Sequence, residues 1–201
     1  VGSEMCIRDS FKAAVIAKKL IEKKSITPND EGCQEYIKNE LANYEFSCEN
    51  INIEDVKNIW LRKGSEKPLI VFAGHTDVVP PGNIDDWDTN PFNPEVKDNI
   101  LYGRGASDMK SSIAAMIAST QRFITDYPKH KGSIGFLLTS DEEGPAKYGT
   151  QKVIEKLKKN NTDIDYCIVG EPTSSKKFGD TIKNGRRAVS YTHLTLPTRL
   201  S

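Results

Sequence analysis

The apolar run Ile134 to Leu138 leads directly into Thr139-Ser140-Asp141-Glu142-Glu143-Gly144. A short apolar run of this length reads as a buried strand. Three adjacent carboxylates at its end repel one another and lose solvation. They require either an open, solvated loop or cations. Neighbouring carboxylates are also how proteins hold borderline metals and place a proton acceptor beside them. Other strand ends in the chain decide between these readings.

Before this run, Phe11 to Lys24 has helical spacing, and Thr27-Pro28-Asn29-Asp30 reads as a turn and helix start. A second amphipathic helix carries Tyr36, Ile37, Leu41 and Tyr44 on one face. Asn58 to Arg62 and Leu69 to Gly74 read as strands, the second as one buried on both faces. Pro80-Pro81-Gly82 then opens a Trp/Asp/Pro-rich loop, and Ile100-Leu101-Tyr102 reads as a short strand entering Gly103-Arg104-Gly105-Ala106-Ser107-Asp108. Ile113, Met116, Ile117, Thr120, Phe123 and Ile124 keep the 3/4 spacing of a helix. A strand at Ser133 to Thr139, a helix at about Gly149 to Lys159 and a strand at Asp165 to Val169 follow. Strands alternating with helices predict an α/β domain with a largely parallel sheet and helices on both faces.

Composition excludes several classes. Lys+Arg and Asp+Glu are both 28 in 201 residues, so no basic field exists to gather nucleic acid or an anionic membrane. No apolar run approaches the ~20 residues that span a bilayer, and no secretory signal is visible. Cys6, Cys33, Cys48 and Cys167 are scattered and form no CxxC pair, so neither a zinc knuckle nor a disulfide framework is indicated. A reducing, cytoplasmic compartment is the simplest expectation.

The strand ends converge chemically. The first delivers His75 and Asp77, the next element Asp108, the third Asp141-Glu142-Glu143, and the fourth Glu171. Open α/β sheets bind ligands beyond the carboxyl ends of their strands. His75 and Asp77, two apart on extended chain, point the same way. That suits a metal-bound imidazole whose other nitrogen is held by a carboxylate. Asp108 could instead be a helix cap. Gly103 and Gly105 flank Arg104, but without Gly-Lys-Ser/Thr or a full GxGxxG they make neither a Walker loop nor a dinucleotide fingerprint.

Five motifs carry a resemblance: GHTDVVP (Gly74 to Pro80), GRGASDMK (Gly103 to Lys110), TSDEEG (Thr139 to Gly144), DYCIVGEPTS (Asp165 to Ser174) and IKNGRR (Ile182 to Arg187). Together they resemble the zinc-dependent amidohydrolase/exopeptidase family of deacylases and carboxypeptidases. The wording of TSDEEGPA, DYCIVGEP and IKNGRR is similar to the branch that removes a succinyl group from an amino-acid precursor. The resemblance implies a three-layer, zinc-exopeptidase-like α/β catalytic domain and two zinc ions, with cobalt as a possible substitute. It implies that His75 and Glu171 bind one zinc, Asp108 bridges, and Glu143 binds the other. Glu142 is then the general base, Asp77 orients His75, and Arg186, with Arg187 beside it, clamps a substrate carboxylate. The expected partner is a small-molecule substrate, with no nucleic acid and no membrane. Sibling deacetylases, carboxypeptidases or a non-catalytic metal-binding module are the alternatives.

Two departures accompany the resemblance. The family takes a last zinc ligand from a late His, whereas this chain offers only His130 and His193 besides His75. Residues 1–10 and 188–201 share no period with their neighbours and resemble translated sequencing-adapter DNA. The expectation is therefore a C-terminally truncated catalytic domain at 11–187, lacking the dimerisation domain of a homodimeric whole and inactive alone.

Overall fold

The computed structural model describes residues 2–183 apart from Phe178, together with Pro197 and Thr198; side chains are described from Phe11 to Lys183. It divides into two units, Val1–Gly170 and Glu171–Ser201.

The first unit is built on a five-stranded sheet. Its strands are β1 (Ser47–Asn50), β2 (Asn58–Lys63), β3 (Leu69–His75), β6 (Ser133–Thr139) and β7 (Tyr166–Val169), in the order β1-β2-β6-β3-β7. A separate hairpin joins β4 (Glu95–Lys97) to β5 (Ile100–Tyr102). β3 runs parallel to both β6 and β7, while β2 is antiparallel to β1 and β6. Only β2 therefore opposes the other four, and the sheet is mixed but largely parallel. In register, His75 stands opposite Thr139 and Ala73 opposite Val169, so three neighbouring strands end at one edge.

The period-two alternation of the strands sends their side chains to two cores. Ile59 and Leu61 of β2, with Ile134, Phe136 and Leu138 of β6, meet helices α1 (Gly2–Ile21), α2 (Cys33–Leu41) and α3 (Ser111–Asp126). Ile16 and Leu20 of α1, Ile37 and Leu41 of α2, and Ile113 and Ile117 of α3 fill that face. Trp60, Leu69, Val71, Ala73 and Leu137 point the other way, onto Val153 and Leu157 of α4 (Thr150–Lys159). Each fully buried aliphatic side chain contributes roughly 1.5–3 kcal/mol. The two cores explain why β6 is buried along its whole length and why helices cover both faces.

Several expectations are corrected. The helix expected from Phe11 begins at Gly2. Ile100–Tyr102 does not join the central sheet. It pairs with β4 across Asp98 and Asn99, whose φ values of 51° and 62° make the tight turn that matches strand twist. β3 alternates buried and half-buried rather than being sealed on both faces. β7 lies at the sheet edge with all four residues exposed, Tyr166 at 62%.

In the second unit, β8 (Ile182–Lys183) pairs antiparallel with β9 (Pro197–Thr198). Ahead of β8, the Asp180 carboxylate accepts the N–H groups of Ser175, Lys176 and Lys177 at 2.9, 2.8 and 3.0 Å. Arg186, Arg187 and His193 lie outside the described residues, as does the stretch 188–196.

Candidate metal centre

β3 ends at His75, and the chain beyond it is pinned from two sides. Thr76 N–H donates to the Thr139 carbonyl at 2.8 Å, extending the β3–β6 ladder by one step. The segment after α1 closes the other side. Ser25 Oγ donates to the Thr76 carbonyl at 2.7 Å, and Ser25 and Thr27 exchange main-chain bonds with Val78. His75, Thr76 and Asp77 are consequently almost fully buried.

His75 has both ring nitrogens engaged. Nδ1 lies 2.9 Å from the Asp77 main-chain carbonyl, and Nε2 lies 3.0 Å from Asp108 Oδ1. Glu142 Oε2 is 3.8 Å from the same Nε2. An Nδ1–H held by a carbonyl leaves Nε2 as the nitrogen with a lone pair to offer. The Asp77 carboxylate stands farther from Nδ1, at 3.5 Å. It accepts the N–H groups of Glu142 and Glu143 at 3.1–3.3 Å. Asp77 thus orients His75 chiefly through its backbone and the acidic loop through its side chain. Burial pushes the Asp77 carboxyl upward, but its bonds to His75 and the Glu143 amide outweigh this and leave it below the ordinary range.

Asp108 reaches the site from the loop before α3 rather than from a sheet strand. Its carboxylate does not cap α3, whose N-terminus has no side-chain cap. The next residue, Met109, is fully buried, and its Sδ accepts the His75 N–H at 3.4 Å. Gly74 leaves room for this, since a Cβ there would lie 2.6 Å from the Met109 methyl.

The three acids after β6 have separate environments. Asp141 is 3% exposed, and its two oxygens accept the N–H groups of Ala146 and Tyr148 at 3.2 and 3.1 Å. Glu142 is exposed and Glu143 half-buried. Burial first, then repulsion from Asp108 and Glu142, raises the Glu143 carboxyl above its usual range. Ligand atoms of His75, Asp108 and Glu143 all lie within 4.8 Å of one another. One imidazole and two carboxylates, one held unfavourably as an anion, form a donor set that could hold a metal ion.

The structure therefore brings together His75, Asp77, Asp108, Glu142 and Glu143. Glu171 opens the second unit, directly after Gly170 in sequence. His130 is not part of the site; its ring lies 5.1 Å from Phe123. The clasp made by Asp141 was not foreseen. Its signal was the Gly-Pro-rich turn Gly144-Pro145 that follows the acids and brings residues 146–148 back toward β6.

Residues 71–197 match the model of peptidase family M20/M25/M40. The chain belongs to this family. It is 58% identical over 172 residues to a succinyl-diaminopimelate desuccinylase of Nitrosococcus oceani, covering 86% of this chain and 46% of that protein. A protein of the same name from Methylobacillus flagellatus is 56% identical over 181 residues, covering 90% and 48%. The chain thus spans about half the length of the curated relatives it matches. The fold is shared with human carnosine dipeptidase 1, at a TM-score of 0.73 and 20% identity over 85% of this chain and 40% of that one. It is also shared with an M20 family metallo-carboxypeptidase from Sulfolobus solfataricus, at a TM-score of 0.67 and 19% identity over 79% and 37%.

Proposed function

We propose that this chain carries the metal-binding half of a dizinc amidohydrolase that cleaves N-succinyl-LL-2,6-diaminopimelate into succinate and LL-2,6-diaminopimelate. The observation that carries the reading is the convergence of His75, Asp108 and Glu143 around one point, with Glu142 beside it. Relatives named for that reaction are 56% and 58% identical over the matched residues.

His75 and Glu171 would hold one zinc, Asp108 would bridge, and Glu143 would bind the second, which cobalt could replace. Zinc bound there supplies an acidified water and polarises the amide carbonyl. Glu142, exposed and with Oε2 3.8 Å from His75 Nε2, would accept a proton from the attacking water. The water oxygen bonds to the succinyl carbonyl carbon, the C–N bond breaks, and Glu142 returns the proton to the departing amine. Asp77 holds His75 and the backbone of Glu142 and Glu143 in place throughout. Arg186 would grip a substrate carboxylate with its bidentate fork. The whole enzyme would be a cytoplasmic homodimer of lysine and diaminopimelate synthesis, and the 201-residue chain alone would be inactive.

The test joins this chain to the remaining half of the Methylobacillus flagellatus relative and assays succinate release. Faster turnover of N-acetylornithine or of a C-terminal peptide bond would overturn the substrate assignment. Glu142→Gln is expected to abolish turnover while zinc content stays at the parental level. A Glu142→Gln protein with normal rate would remove Glu142 from the chemistry.

A further inference from the structure

Lys110 is fully buried, at 0% exposure. A desolvated ammonium is costly unless fixed acceptors receive its protons. Its Nζ donates to the carbonyls of Leu20 and Lys23 at 2.8 and 3.0 Å. These belong to the C-terminal turn of α1 and the residues just after it, where helix carbonyls lack intrahelical partners and the dipole favours a cation.

The contact bears on Asp108. Lys110 N–H donates to the Gly105 carbonyl at 2.9 Å, closing the turn from which the Asp108 carboxylate projects. Gly105 has φ +77°, and a Cβ there would meet Val78 at 2.5 Å and the Lys110 stem at 3.3 Å. The Asp108 side chain itself is 48% exposed, so packing does little to hold it. Its position is set by the buried neighbours that follow it. Met109 anchors the loop to His75 by apolar packing and one weak sulfur contact. Apolar packing permits a flexible thioether to slide. An ammonium on two carbonyls is directional.

We infer that Lys110 is a positioning residue for the metal centre, tying the Asp108 loop to the end of α1 so that Asp108 stands in fixed register with His75. The inference rests on the metal-centre reading above. It assigns Lys110 no contact with metal or substrate.

Zinc alone is titrated into the full chain and into Lys110→Met by competition with a chromophoric chelator, and melting is followed by circular dichroism. Lys110→Met is expected to weaken zinc binding about ten- to a hundredfold, the scale seen when partners behind metal ligands are removed. Val153→Ala serves as the control: Val153 is fully buried against α4's face of the sheet, away from this loop. It is expected to lower the melting temperature and leave zinc affinity unchanged. If Lys110→Met does not fold, Lys110→Gln retains N–H donors for the same carbonyls and is measured instead, with a smaller loss expected. A folded Lys110 variant with parental affinity overturns the inference, as does an equal loss in Val153→Ala. A parent chain that binds no zinc overturns the metal-centre reading itself.

Discussion

Asp141→Ala tests the division of labour among the three acids. Asp141 accepts two main-chain N–H groups at 3.2 and 3.1 Å, both at the long end of the hydrogen-bond range. Bonds to a charged acceptor contribute roughly 1.5–3 kcal/mol each, so the pair at the low end is worth about 3 kcal/mol. Ala146 is exposed and Tyr148 half-buried, so their freed N–H groups regain water in part. The expected loss is then about 2 kcal/mol, or roughly 4–8 °C in melting temperature for a chain of this size. Glu142→Ala removes a side chain that is 47% exposed and should change stability by less than about 0.5 kcal/mol. The assay is thermal melting of both variants beside the parent without added metal. Asp141→Asn, which keeps one acceptor oxygen, should fall between. An Asp141→Ala protein that melts with the parent, or a Glu142→Ala protein that melts below it, would refute the assignment of Asp141 as the clasp of the loop.

Cys33 is buried, and burial pushes its thiol up to about 11. At pH 8 only about one in a thousand of its thiols is ionised, so iodoacetamide should label exposed Cys48 and Cys167 well before Cys33. Peptide mapping that finds Cys33 labelled as fast as Cys48 would contradict its place between α2 and α1. The Asp180 carboxyl is held well below its ordinary 3.8 by the amides of Ser175, Lys177 and Lys176. A depressed folded-state pKa stabilises the turn above the unfolded value and loses that contribution as pH falls below it. The amide resonances of those three residues should therefore stay constant as pH falls through 3.8, where an ordinary Asp titrates, and shift together only well below it.

The parts of the molecule that were legible in the sequence are those whose signal is local. β6 falls where the apolar run predicts, and the ends of β3 and β6 deliver His75 and the acids to one edge because parallel strands share an edge. β1 was missed because Ser-Cys-Glu-Asn has no apolar period and owes its form to pairing with β2. The β4–β5 hairpin was legible in part: Ile100-Leu101-Tyr102 reads as a strand, but its partner Glu-Val-Lys has one apolar residue and is revealed only by pairing across the Asp98-Asn99 turn. Asp108 was assigned to the site for a partly wrong structural reason. It does not end a sheet strand but is delivered by a loop, and no spacing rule reveals that Met109 and Lys110 are its anchors.

The same distinction explains how adjacent acids acquire different chemistry. Asp77, two residues past the end of β3, receives the backbone N–H groups of Glu142 and Glu143 on its carboxylate. Asp141 turns inward and receives the N–H groups of Ala146 and Tyr148. The loop is therefore fastened through its main chain on both sides of Glu142 and Glu143, and neither of their side chains is spent on holding it. One buried carboxylate on β3's extension and one on β6's hold the main chain that presents the two neighbouring glutamates. Glu143 is crowded by Asp108 and Glu142, a repulsion that only a proton or a cation relieves. Replacing Asp77 by Asn would replace one acceptor oxygen with a donor facing those amides. Zinc affinity should then fall even though the Asp77 carbonyl still holds His75 Nδ1. An unchanged affinity in Asp77→Asn would show that the backbone contact to His75 is the only part of Asp77 the centre requires.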